Sequence, residues 1–130
     1  MDQNFSSSRA TIHIVDDDAG VRRALAFAFD LAGFAVEAYE SGEALLRADL
    51  PLAPGCLVID ERLTGASGLE TLRALRARRV SMPAIFVTSH PKPAFRQAAA
   101  IAGAPIVEKP LEGEALVAAI QTLLKAPATQ

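Results

Sequence analysis

The chain alternates short apolar runs with longer stretches in which apolar residues recur every three or four positions. Thr11-Ile12-His13-Ile14-Val15 alternates, turns fully apolar and ends in Asp16-Asp17-Asp18, which predicts a strand running into acid. From residue 19 to 33, Val21, Leu25, Ala28 and Ala32 share one helical face, with Asp18 placed to cap the start and Gly33 to close the end. Phe34 to Tyr39 reads as a second strand. Ser41 caps a helix to about Asp49 with Ala44, Leu45 and Ala48 inward, and Pro51 and Pro54 stop it.

Cys56-Leu57-Val58-Ile59-Asp60 is the pivotal stretch: a run too short for an independent helix, apolar on both faces as central parallel strands are, and closed by a carboxylate. Glu61 to Ser67 is irregular, and a helix from Gly68 turns Leu69, Leu72 and Leu75 inward and Arg73, Arg76, Arg78 and Arg79 largely outward. Ala84 to Thr88 is a fourth strand. Residues 94 to 102 form an alanine-rich helix with Phe95 and Ile101 as its only large anchors, which should make it the most mobile helix. Ile106-Val107 is a short fifth strand leading to Lys109-Pro110, and Leu116, Ile120, Leu123 and Leu124 line a last helix from about Glu112 to Lys125. Five such strand–helix units with short connections predict an α/β fold: a doubly wound parallel sheet with helices on both faces.

Composition narrows the picture. With 130 residues, 51% hydrophobic and 22% charged, the chain fits one domain over residues 11–125, between a flexible polar arm at 1–10 and a tail at 126–130. A net charge of -2 gives no general pull towards nucleic acid or an anionic membrane surface, and the arginines after Leu72 read as a solvated face rather than a basic patch. One cysteine, Cys56, permits no intrachain disulfide and fits a small core residue in a reducing compartment; with no apolar leader or span, the expected location is the cytoplasm.

The chemistry gathers at strand ends. Asp16 and Asp17 follow the first strand, Asp60 the third, Thr88 the fourth and Lys109 the fifth, and in a parallel sheet these converge on one edge, where ligands of open α/β folds bind. Carboxylates about 4 Å apart repel by roughly 4 kcal/mol per pair at an effective dielectric near 20, so a cation is called for. Mg²⁺ suits one or two carboxylates and retains waters for a phosphate to displace, with Mn²⁺ as a substitute. Asp18 fits a helix cap better than a third ligand, and His13 lacks the His or Cys neighbours a transition metal needs.

This ordered set, Val15-Asp16-Asp17, Val58-Ile59-Asp60, Val87-Thr88-Ser89 and Lys109-Pro110, resembles the CheY-like response-regulator receiver domain of two-component signalling from Thr11 to Lys125. The resemblance implies a flavodoxin-like five-stranded sheet of order 2-1-3-4-5 with about five helices. It implies a phosphoprotein rather than an enzyme acting on other substrates, with Asp60 accepting a phosphoryl group from a sensor histidine kinase or phosphotransfer protein. Asp17, Asp16 through water, Asp60 and the backbone carbonyl of Arg62 would hold the metal. Thr88 and Lys109 would bind phosphoryl oxygens and drive the switch. Arg62 and His90, two residues after Asp60 and Thr88, stand where the family tunes phosphoryl lifetime.

Some positions depart from the pattern. Ile106 replaces the usual Tyr or Phe coupled to the threonine, Thr64 replaces a Pro, the stretch from Thr88 to Lys109 is about one residue short, and Pro105 interrupts the approach to the fifth strand. These predict an altered fourth helix and an unusual output face. Signals are expected to leave through a downstream protein target, or a homodimer, at the fourth helix, fifth strand and last helix, where Ala98, Ala99 and Ala100 would leave apolar surface exposed. Direct DNA binding is not expected. The rivals are a phosphoryl shuttle or sink and a constitutive protein-binding pseudo-receiver. A haloacid-dehalogenase phosphatase is disfavoured because Arg62 replaces its general acid. The plainer reading, in which Asp16 and Asp60 merely end strands, leaves Thr88 and Lys109 unaccounted for.

Overall fold

In the computed structural model, residues 9–50, 54–110 and 112–125 are described. Residues 1–8 of the arm, Pro51 and the 126–130 tail lie outside them. The elements alternate without exception: β1 (Thr11–Val15), α1 (Ala19–Leu31), β2 (Ala35–Tyr39), α2 (Gly42–Arg47), β3 (Gly55–Asp60), α3 (Gly68–Ala77), β4 (Ala84–Thr88), α4 (Pro93–Ala102), β5 (Ile106–Glu108) and α5 (Gly113–Lys125). All strands are parallel, in the order β2-β1-β3-β4-β5, as expected. Among the described residues, no helix is long and apolar enough to cross a membrane.

The two-residue period of a strand divides the core. Leu57 and Ile59 join Val15, Phe86, Leu72, Leu75 and Phe95 on one face, under α2, α3 and α4. Cys56 and Val58 join Ile12, Ile14, Val87, Phe29, Leu116 and Ile120 on the other, under α1 and α5. Every residue of β3 is buried, which explains its unbroken apolar run. Cys56 is a core residue, its thiol pushed up to about 12 by burial.

Local signals placed most helix ends. Asp18 caps α1 by accepting from the amides of Gly20 and Val21, Ser41 caps α2 through Ala44, and Ser67 with Glu70 forms a reciprocal capping box at α3. Gly33 adopts φ 97°, a conformation glycine takes without strain. Helix α2 stops at Arg47, short of the expected Asp49: the Leu46 carbonyl accepts from the Arg78 guanidinium at 2.6 Å, and Leu50 packs on the core beyond an extended Ala48. Arg78 is exposed, while Arg76 is half-buried and bonded to the Val80 carbonyl at 2.8 Å, so two of the four arginines finish backbone ends.

Helix α4 differs from expectation in its anchoring. Phe95 and Ala99, one turn apart, are its buried residues, whereas Ile101 falls on the far side and is 80% exposed. Ala99 therefore adds no exposed apolar surface; Ala98 is half-buried and Ala100 exposed. Pro105 does not break the sheet, because its carbonyl accepts from Phe86 N at 2.9 Å and the β4–β5 ladder continues beyond it.

Candidate functional site

Register brings the acids together. Val15 pairs with Ile59 across β1 and β3, so Asp16 and Asp60 are the next neighbours along that ladder, both on the α1–α5 side where the strands end. Asp16 (3% exposed) and Asp60 (7%) are buried, Asp17 is exposed, and each offers a carboxylate oxygen lying within 4.8 Å of the other two. Asp18 is not in this group and acts as the α1 cap.

The donors around the cluster are few. Asp60 accepts from the Arg62 amide at 3.4 Å and faces the Lys109 ammonium at 3.7 Å. Lys109 is fixed at the backbone, where its amide donates to the Thr88 carbonyl at 2.8 Å. Asp16 accepts from the Asp18 amide at 2.9 Å. Burial, more than any neighbour, raises the Asp16 and Asp60 carboxyls above their ordinary range; Asp16 pushes Asp60 further, while Lys109 and the Arg62 amide pull it back. Two buried anions side by side, with an exposed third and one lysine, form a donor set suited to a hard, hydrated divalent cation such as Mg²⁺.

Thr64, noted in the sequence only as a missing proline, reaches Asp17: its amide and hydroxyl donate to one carboxylate oxygen at 3.3 and 3.1 Å. The same loop is held by Glu43, whose carboxylate accepts from Ala66 N at 2.8 Å beside Gly65 at φ 81°. Gly68 packs against the end of β3 so closely that a Cβ there would clash with the Asp60 carbonyl oxygen.

Thr88 is buried at the end of β4, but its hydroxyl does not face the cluster. It donates to the carboxylate of Glu61, a residue whose place in an irregular stretch of the sequence gives it no visible role. Its signal was the register: Asp60 pairs with Val87, so Glu61 and Thr88 are next on the ladder, and Glu61 N indeed donates to Val87 O at 3.0 Å. Arg62 is an exposed side chain 3.9 Å from Glu61, and His90 is exposed at φ 49°. Ile106 is half-buried against the α2–α4 face of the core. His13 packs inside, stacked on Tyr39, rather than joining the site.

Comparison with known proteins points the same way. The response regulator receiver domain family matches residues 12–121. The transcriptional regulatory protein FixJ of Azorhizobium caulinodans is 40% identical over 120 residues, 92% of this chain and 57% of that protein. The C4-dicarboxylate transport transcriptional regulatory protein DctR of Rhodobacter capsulatus is 40% identical over 111 residues, 82% of this chain and 56% of its own length. The chain thus spans a little over half of these relatives. Among solved structures, FixJ-N superposes with a TM-score of 0.80 at 37% identity, covering 93% of this chain and 98% of that one. The response regulator StyR gives 0.83 at 36%, covering 90% and 60%. Sheet order, acid cluster, strand-end lysine and sequence similarity agree: the chain belongs to the response regulator receiver domain family.

Proposed function

We propose that this chain is a phosphorylation switch in which Asp60 accepts a phosphoryl group from a histidine kinase or phosphotransfer protein and passes the signal on by protein–protein contact. The observation that carries the proposal is the convergence of Asp16, Asp17 and Asp60 with Lys109 on one sheet edge. An Asp60 carboxylate oxygen attacks phosphorus, an O–P bond forms, and the donor's P–N bond breaks with its electron pair leaving on the imidazole nitrogen. The product is an acyl phosphate.

Asp16, Asp17, Asp60 and the Arg62 carbonyl would hold Mg²⁺, or Mn²⁺ in its place. When bound, the ion neutralises the clustered charge and orients phosphoryl oxygens. Lys109 stabilises the charge arriving on Asp60 from 3.7 Å away, and its backbone bond to Thr88 ties it to the end of β4. Thr88 binds a phosphoryl oxygen once its hydroxyl is free, while Arg62 and His90, exposed two residues after Asp60 and Thr88, set how readily water reaches the acyl phosphate. The phosphoryl group adds about -1.5 to -2 charges, enough to pull Thr88 and Lys109 inward.

The names of the relatives describe transcriptional regulation; this chain spans a little over half their length and matches the receiver domain family over residues 12–121. Output through α4, β5 and α5, to a protein target or a second copy, is supported by the exposed Arg96–Glu108 ion pair of 2.7 Å that joins α4 to β5 one residue before Lys109. A second reading, a phosphoryl shuttle or sink, is favoured by Ile106, which offers no aromatic ring to swing with Thr88.

The test is intact mass after incubation with Mg²⁺ and acetyl phosphate. One phosphoryl adduct is expected on the wild type, with none on Asp60→Ala and none without divalent cation. A folded wild type that stays unmodified refutes the proposal. Amide shifts in α4 and β5 that ignore the adduct would favour the shuttle.

A further inference from the structure

Among the described residues the Thr88 hydroxyl donates to a carboxylate, and it is not where a phosphoryl group would arrive. Thr88 is 1% exposed and donates to the Glu61 carboxylate, whose side chain is only 18% exposed. Its other contact, 3.5 Å to the Ser89 carbonyl, is marginal. Glu61 is not a loose surface acid. Its amide is bonded to Val87 O at 3.0 Å and its carbonyl accepts from Gly68 N at 3.0 Å, so β4 on one side and the start of α3 on the other hold its backbone. Strand parity then directs its side chain to the same face as Thr88, one residue beyond the nucleophile.

We infer that Glu61 is a positioning residue that acts through Thr88: it holds the hydroxyl away from Asp60 and gates the phosphoryl switch. This rests on the reading of Asp60 as phosphoacceptor. A charge-assisted hydrogen bond is about twice as strong as a neutral one, so the phosphoryl group must outcompete a carboxylate for the same hydroxyl. It also brings negative charge next to Glu61, which favours the release of that carboxylate once Thr88 turns.

The released side chain has a place to go. Arg62 Nε already lies 3.9 Å from Glu61 Oε1, and both residues border a cleft of about 410 Å³ that runs past Leu69 to Phe95 and Ala98 of α4. Movement of Glu61 into that cleft would carry the switch from Thr88 to α4 without an aromatic residue at position 106. The exchange thus assigns to Glu61 a task that Ile106 is not shaped to perform.

The test compares wild type, Glu61→Gln and Glu61→Ala in the full chain, each also with Thr88→Val. The first readout is the Thr88 methyl three-bond couplings, taken without phosphodonor or divalent ion. A single rotamer is expected in the wild type, partial averaging in Glu61→Gln and free averaging in Glu61→Ala. The second is the rate of phosphoryl adduct formation by intact mass with acetyl phosphate and Mg²⁺. Losing the charged partner should speed it by roughly tenfold in Glu61→Ala, with Glu61→Gln in between. In the Thr88→Val background the effect of position 61 should shrink to within about twofold, because the gate works through the hydroxyl. Identical couplings in all three proteins overturn the inference. So does adduct at one rate in all three, or a Glu61→Ala effect that survives in the Thr88→Val background. Absence of adduct from every form sinks the phosphoacceptor reading, and the gate with it.

Discussion

Asp60→Asn is expected to stabilise the metal-free protein at neutral pH, even though it removes the residue on which the site is centred. Asp60 is 7% exposed, and its carboxylate oxygen shares a 4.8 Å envelope with those of Asp16 and Asp17. At that separation two unit charges repel by roughly 3.5 kcal/mol for an effective dielectric near 20. Lys109, 3.7 Å away, attracts by about 4.5 kcal/mol on the same scale, so the two Coulomb contributions nearly cancel. Asp17 is exposed, and salt screens much of its share. What survives is the cost of keeping an ionised carboxylate out of water, which an amide of the same shape does not bear. The Asp60→Asn variant should gain about 1–2 kcal/mol, a rise of roughly 3–8 °C in the unfolding midpoint.

The sign with pH follows from the raised carboxyls. A group whose native pKa lies above its unfolded value contributes stability below the unfolded value of about 4 and loses it as pH rises through the native one. The gap between the amide variant and wild type should therefore be small near pH 4 and grow towards neutrality. Thermal unfolding followed by circular dichroism, in chelator across that range, measures it. Mg²⁺ should act the other way, stabilising wild type by about 2.7 kcal/mol at a hundred times its Kd and Asp60→Asn by less. An Asp60→Asn protein that unfolds below wild type at neutral pH in chelator refutes the reasoning, since the native site would then favour the charge.

Two further perturbations probe the supports. Gly68→Ala drives a Cβ into the Asp60 carbonyl oxygen and to 3.1 Å from Glu61 Cα, backbone that yields only by moving the end of β3; about 1–3 kcal/mol of stability should be lost in urea titration, and no loss would show that the loop yields freely. His13→Leu removes a buried imidazole whose Nδ1 meets the Tyr39 hydroxyl at 3.2 Å and whose Nε2 has no partner among the described residues; burial holds its pKa below the ordinary value, with Glu37 opposing. Wild type should lose stability as pH falls below about 6.5, the unfolded value, and the leucine variant should lose less; parallel pH profiles would mean that His13 gains its proton without cost.

The fold was legible because each level agreed with the next. Apolar runs of β-strand length in β1, β3 and β4, caps at Asp18 and Ser41, and acids at strand ends all specified one architecture. Ile101 was misread for a simple reason. In an alanine-rich helix with two large apolar residues, composition makes both look like anchors, while the 100° step lets only residues in phase with Phe95 and Ala99 face the sheet.

The Glu61–Thr88 contact was illegible for a different reason. Periodicity tells which residues of one strand share a face, but it does not give the register between strands, and a slip of one residue would turn Glu61 to the opposite side. Once Asp60 is paired with Val87, the rest follows: the residue after Asp60 must lie beside the residue that ends β4, on the α2–α4 face and not on the face of the acid cluster. Asp60 and Thr88 thus begin on opposite faces of the sheet, and any signal between them has to cross its edge. A carboxylate at position 61 is on Thr88's side of that edge and bonded to it, so the strength of the grip, rather than the acidity of Asp60, is what should decide how readily the hydroxyl answers a phosphoryl group.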